Sequence, residues 1–133
     1  MVRGASQGRS SLRILVVDDQ VEIRDVLGLL LAGEDIEVIA AEDGWEGLRL
    51  ARERAPDLIL MDIHMPVLDG VTATALLKRD PRTAHIPVIA MSAGRNLRRQ
   101  SAGLSADGLL AKPFDVDELL AHVGLFQRHS PRR

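Results

Sequence analysis

Between Ile14 and Phe126 the chain alternates short, nearly continuous apolar runs with longer stretches whose apolar residues recur at helical spacing. No other feature limits the architecture as much. The runs are Ile14–Val17, Glu37–Ala41, Leu58–Met61, Pro87–Met91 and Gly108–Ala111. The helical stretches are Gln20–Ala32, Trp45–Arg54, Val71–Arg79, Arg95–Gly103 and Val116–Phe126. In the first, Ile23, Val26, Leu27 and Leu30 share a face, and in the last Val116, Leu119, Leu120 and Val123 do. Strands that are apolar throughout must be covered on both faces, and strands separated by helices run parallel through right-handed crossovers. The expected fold is therefore α/β, a doubly wound five-stranded parallel sheet flanked by five helices. A closed eight-fold barrel needs about 250 residues; the chain has 133. The first run is not followed by Gly-x-Gly-x-x-Gly, which argues against a dinucleotide-binding fold.

Boundary residues agree with this alternation. Asp19 with Glu22, Asp43 with Glu46, and Asp115 with Glu118 each set a capping acid three residues ahead of a glutamate, marking three helix starts. Asp80-Pro81 ends the third helix, because proline cannot continue it. Gly94, Gly103 and Gly108 flank the fourth and raise its entropic cost, making it the weakest of the five. A single domain is expected over residues 12–127, with flexible tails at residues 1–11 and 128–133.

Composition narrows the function classes. Apolar residues at 46% and charged residues at 27% are those of a folded globular chain. Without cysteine there are no disulfides, thiolate metal sites or cysteine nucleophiles, and a cytoplasmic setting fits. Six of the 17 basic residues lie before Ile14 or after Gln127, which leaves 11 against all 19 acids between those two positions. An acidic body of this kind, with only Trp45, Phe114 and Phe126 as aromatics, argues against nucleic acid as a partner. The sequence shows neither a signal-peptide apolar core nor a run long enough to span a membrane.

Chemistry concentrates after the apolar runs. Asp18-Asp19 follow the first, Asp62 the third, Ser92 the fourth and Lys112-Pro113 the fifth. Carboxyl ends of parallel strands share one edge, so three acids, a hydroxyl and an ammonium converge there. Each has a plain alternative: Asp at a strand end caps or turns, Ser makes turns, and Lys lies on surfaces. Clustered carboxylates, however, repel and shift one another's proton affinity unless a cation sits among them. All-oxygen donors select a hard ion, and Mg²⁺ is the natural occupant. The chain uses arginine fifteen times and lysine only at Lys78 and Lys112. A compact ammonium at Lys112 suits a point contact to a phosphoryl oxygen.

In these residues the chain resembles the receiver domain of two-component response regulators, from about Arg13 to Phe126. The resemblance is carried by Asp18-Asp19, by Met61-Asp62-Ile63-His64-Met65-Pro66 with Asp69-Gly70, by Met91-Ser92-Ala93 and by Lys112-Pro113-Phe114. It implies a flavodoxin-like sheet of order 2-1-3-4-5 and a cis peptide at Lys112-Pro113. It also implies phosphorylation of Asp62 by a histidine kinase or histidine phosphotransfer protein. Mg²⁺ would be held by Asp18, Asp19, Asp62 and the main-chain carbonyl of His64, with Ser92 and Lys112 contacting the phosphoryl group. Because the chain ends soon after Phe126, its output is expected in trans, on a separate target protein, and many relatives form homodimers when phosphorylated.

Two departures from the family pattern stand out. Leu109 replaces the tyrosine or phenylalanine that usually stands three residues before the lysine, and Gly94 provides no side chain two residues after the hydroxyl. Acyl-phosphate lifetime is therefore expected to depend on His64, although a solvated loop histidine is an equal reading. Two other functions compete. One is a Mg²⁺-dependent phosphohydrolase working through an aspartyl phosphate, which would turn over an external substrate. The other is a pseudo-receiver that binds without being phosphorylated.

Overall fold

The computed structural model describes residues 12–32, 35–93, 105–113 and 116–128. In chain order the elements are β1 (Leu12–Val17), α1 (Val21–Leu31), β2 (Ile36–Ala41), α2 (Gly44–Arg54), β3 (Leu58–Asp62), α3 (Gly70–Arg79), β4 (Val88–Ala93), β5 (Gly108–Lys112) and α4 (Val116–Arg128). The strands form one parallel sheet in the order β2-β1-β3-β4-β5, as expected. The fourth helical candidate, Arg95–Gly103, lies outside the described residues, so four of the five expected helices are seen.

Strand alternation sorts the core into two layers. Leu15, Val17, Ile59, Met61 and Val88 pack with Leu48 and Ala51 of α2 and with Ala73 and Leu77 of α3. Ile14, Val16, Leu58, Leu60, Ile89 and Met91 pack with Leu27 and Leu31 of α1 and with Leu119 and Val123 of α4. Each fully buried side chain of this size stabilises the fold by about 2 kcal/mol. Burial is complete only in the central strand β3; on the edges, β2 leaves Ala40 exposed and β5 leaves Leu109 and Ala111 exposed.

The expected α1 face is rotated slightly. Leu27 and Leu31, four residues apart, point into the core, while Val26 is 50% exposed and Leu30 38%. The helix settles on the Ile23–Leu27–Leu31 line, and the neighbouring apolar stripe faces outward. In α4, Leu119 and Val123 are buried, but Leu120 is exposed.

Helix starts also differ from expectation at one point. Asp43 caps α2 as expected by accepting from Glu46 N–H at 2.8 Å, and the Glu46 carboxylate accepts from Glu42 N–H at 2.8 Å. Asp19 does not cap α1; the N-cap is Gln20, whose side chain makes no capping bond. Asp115 lies outside the described residues. The sequence reading passed over the cap of α3: Asp69 accepts from Thr72 N–H at 2.8 Å. Asp80, just before Pro81, ends that helix as expected.

Candidate functional site

Strand register brings the predicted residues to one edge. Val17 lies opposite Met61, Asp62 opposite Met91, Ser92 opposite Ala111, and Ala93 opposite Lys112. The chain reaches β2 on one side of β1 and β3 on the other, so the winding reverses at β1/β3, where a parallel sheet opens a crevice. Asp18 and Asp62 flank that crevice.

Asp18 is fully buried and works at each of its polar atoms. Its N–H donates to the Ala41 carbonyl at 3.1 Å, which prolongs the β1–β2 ladder by one residue. Its Oδ1 accepts from Gln20 N–H at 2.9 Å, an Asx turn that shapes the loop. Its Oδ2 lies 2.8 Å from Lys112 Nζ. The turn role and the site role thus coexist in one side chain. Asp19 is exposed, and no bond among the described residues holds its carboxylate.

Asp62 ends β3 and is 4% exposed. The loop behind it is fixed by backbone bonds from Ile63 N–H to Met91 O at 2.9 Å and from Gly70 N–H to Ile63 O at 2.8 Å. Gly70 is required there: a Cβ would run into the Asp62 carbonyl and come within 2.7 Å of Ile63 Cα. Further along, Leu68 N–H donates to Pro66 O at 2.8 Å across Val67, whose φ is 73°, forming a tight γ-turn.

One acid–base property sets the site apart. Burial pushes the Asp62 carboxyl from 3.8 up to about 6; Lys112, 3.4 Å away, opposes this, and the Asp18 charge adds to it. The His64 N–H, donating to Asp62 Oδ1 at 3.3 Å, also favours the charged form. Asp18, Asp19 and Asp62 each offer an oxygen, and these oxygens lie within 4.8 Å of one another. Three carboxylates facing one ammonium leave an excess of negative charge among oxygen donors, which fits a hard divalent cation such as Mg²⁺.

The site opens on a cavity of about 230 Å³ walled by Asp19, Gln20, Asp62, His64, Ala93 and Lys112. Ser92 is fully buried at the end of β4, and its hydroxyl donates to the Ala93 carbonyl at 3.3 Å. The Lys112-Pro113 peptide is cis, as the family resemblance implied. The other lysine, Lys78, serves structure elsewhere, paired with Asp107 at 2.9 Å. Sequence reasoning missed Gln20 and Ala93 in the cavity wall and Arg24, whose Nη1 donates to the Asp18 carbonyl at 2.8 Å. A polar residue after Asp18-Asp19 was the only signal for Gln20; nothing marked the contact made by Arg24.

Comparison with known proteins agrees with this geometry. A family model described as the response regulator receiver domain matches residues 14–124. RpaA of Synechocystis sp., a DNA-binding dual master transcriptional regulator, is 40% identical over 122 residues, which cover 90% of this chain and 51% of RpaA. The transcriptional regulatory protein PrrA of Mycobacterium tuberculosis is 44% identical over 120 residues, 87% of this chain and 50% of PrrA. The chain thus spans about half the length of these curated relatives. Among solved structures, the receiver domain of sensor histidine kinase PA1611 from Pseudomonas aeruginosa PAO1 superposes with a TM-score of 0.82 at 29% identity. The match covers 89% of this chain and 98% of that one, which has a magnesium ion coordinated in its active site cleft.

Proposed function

Since the chain belongs to the response regulator receiver domain family, we propose that it is a phosphoacceptor module in which Asp62 takes a phosphoryl group from a histidine kinase or histidine phosphotransfer protein. The observation that carries this reading is the meeting of Asp18, Asp19 and Asp62 oxygens within 4.8 Å beside the Lys112 ammonium.

An Asp62 carboxylate oxygen attacks phosphorus in line with the donor nitrogen. The O–P bond forms as the N–P bond breaks, and the electron pair leaves with the imidazole, which takes up a proton. Lys112, already within 3.4 Å of Asp62, supplies a positive charge to the incoming phosphoryl oxygens. Asp18 holds that ammonium in place at 2.8 Å. Asp18, Asp19, Asp62 and the main-chain carbonyl of His64 would hold Mg²⁺, which when bound would supply further charge neutralisation to the phosphoryl oxygens. Ser92, near the end of β4, serves as the hydroxyl that contacts the modified site, and that contact shifts a two-state equilibrium read by a target protein.

The reading includes an acyl phosphate lifetime sensitive to His64, a cytoplasmic setting, and a partner that is protein rather than nucleic acid or membrane. Among the described residues, no helix is long and apolar enough to cross a membrane. The test is incubation with acetyl phosphate, with and without Mg²⁺, followed by intact-mass measurement. A metal-dependent gain of about 80 Da, one phosphoryl group, that is lost in Asp62→Ala supports the proposal; a gain that persists in the variant refutes it. Multiple turnover on a phosphomonoester would favour a phosphohydrolase instead.

A further inference from the structure

The β1–α1 loop carries two of the three clustered carboxylates, and they are held very differently. The Asp18 side chain is tied at both oxygens, to Gln20 N–H and to Lys112 Nζ. Among the described residues nothing ties the exposed Asp19 side chain. Its direction is therefore set by its backbone, and in particular by the Asp18–Asp19 peptide. Among the described residues that peptide has one side-chain anchor, the Arg24 guanidinium, whose Nη1 donates to the Asp18 carbonyl at 2.8 Å.

Arg24 sits in an unfavourable place for a cation. It is the fourth residue of α1, close to the positive end of the helix dipole. Its side chain points back toward the helix N-terminus, as helical geometry dictates, and so reaches a carbonyl six residues earlier in the chain. Arg24 also lines the groove between α1 and β2, with Asp25, Gly28, Leu29, Ala32, Val38 and Ala40. Arg24 thus borders the groove and bonds to the loop.

We infer that Arg24 is a positioning residue for cation binding: by holding the Asp18 carbonyl it fixes the Asp18–Asp19 peptide and aims the Asp19 carboxylate at the cluster. This inference rests on the metal-site reading given under Proposed function. Charge and position predict opposite signs. Removing a cation beside an acidic site strengthens Mg²⁺ binding if only charge matters, whereas losing the anchor weakens it.

The test is calorimetric titration of MgCl₂ into the full chain at about 0.15 M salt, where long-range charge effects are screened. Melting curves are recorded in parallel. Arg24→Met keeps the stem in the groove but removes donor and charge, and it is expected to weaken Mg²⁺ binding by about 10-fold. Arg24→Lys keeps a donor able to reach the carbonyl and is expected to restore most of the affinity. If Arg24→Met fails to fold, Arg24→Gln, whose amide is too short to reach, is held to the same expectation. Asp19→Asn serves as the control for the site. Weaker binding in Asp19→Asn alone, or a lowered melting temperature in Arg24→Met with unchanged or tighter Mg²⁺ binding, overturns the inference while leaving the site intact. Unchanged affinity in Asp19→Asn as well overturns the metal-site reading itself, and this inference with it.

Discussion

The Lys112 ammonium lies 2.8 Å from the Asp18 carboxylate, joining residues 94 apart in sequence across the open edge of the sheet. Asp18 is fully buried and the Lys112 side chain is 14% exposed, so this pair is shielded from water in a way that surface pairs are not. Lys112→Ala leaves a buried carboxylate without its cation. The expected cost is about 3 kcal/mol of stability in the absence of divalent ions, and saturating Mg²⁺ recovers part of it, since the ion supplies the missing charge. Urea unfolding with and without Mg²⁺ measures both; equal losses under the two conditions would contradict the shared electrostatic role.

The raised Asp62 carboxyl makes stability depend on pH in a definite direction. With a folded-state value of about 6 against an ordinary 3.8, the native chain holds this proton more tightly than the unfolded chain does. The group's contribution is therefore favourable at low pH and diminishes as pH rises from about 4 to about 6, by at most about 3 kcal/mol. Asp62→Asn removes this slope. Subtracting its denaturation free energies from those of the parent at pH 4.5, 5.5 and 7, without metal, isolates the effect from other carboxylates. Glu37 slopes the other way: burial raises its carboxyl, but Arg13 and Arg54 together hold it below its usual value, so its contribution is lost as pH falls. A flat difference curve would contradict the assignment.

Val67 occupies the left-handed region at φ 73° within the γ-turn that follows the acceptor loop, and the residue is 81% exposed. A β-branched residue is strained there and little burial offsets it. Val67→Gly is expected to raise stability by about 1 kcal/mol, the relief of strain exceeding glycine's entropic cost. Thermal unfolding decides, and a lowered midpoint would show that the turn is not strained.

Gly70 tests how closely α3 must approach the acceptor. An alanine Cβ would meet the Asp62 and Ile63 backbone, which cannot swing aside as a flexible side chain does. Gly70→Ala is expected to cost about 1–3 kcal/mol and to slow phosphorylation by acetyl phosphate, because relief of the clash displaces Asp62 itself. Unchanged stability and unchanged rate together would refute this reading of the glycine.

Most of the fold was legible because its signals are local. β3 is buried along its length, Leu58–Met61 are all apolar, and its one polar residue, Asp62, closes the strand at the sheet edge. Asp43 was readable as a cap because its partner, Glu46 N–H, lies three residues on. The same pattern misled at Asp19, where Asp18 takes the Gln20 N–H into an Asx turn and moves the helix start to Gln20. Spacing alone does not reveal which residue becomes the N-cap. The α1 face was misjudged for a similar reason, since apolar Val26 and Leu30 keep helical period with Leu27 while facing outward. Arg24 and Gly70 act through contacts with atoms six and more residues away, and such contacts exist only once the loops are folded. Leu109, expected to alter the usual aromatic readout, lies on the edge strand β5 at 36% exposure.

The most direct measurement is the position of the modified residue. The chain is treated with acetyl phosphate and Mg²⁺, reduced with borohydride to convert the acyl phosphate into a stable alcohol, digested and sequenced by mass spectrometry. The account predicts homoserine at position 62 and at no other aspartate, and none when Mg²⁺ is withheld. Homoserine at Asp18 or Asp19, or an unmodified Asp62 under conditions that bind Mg²⁺, would contradict it.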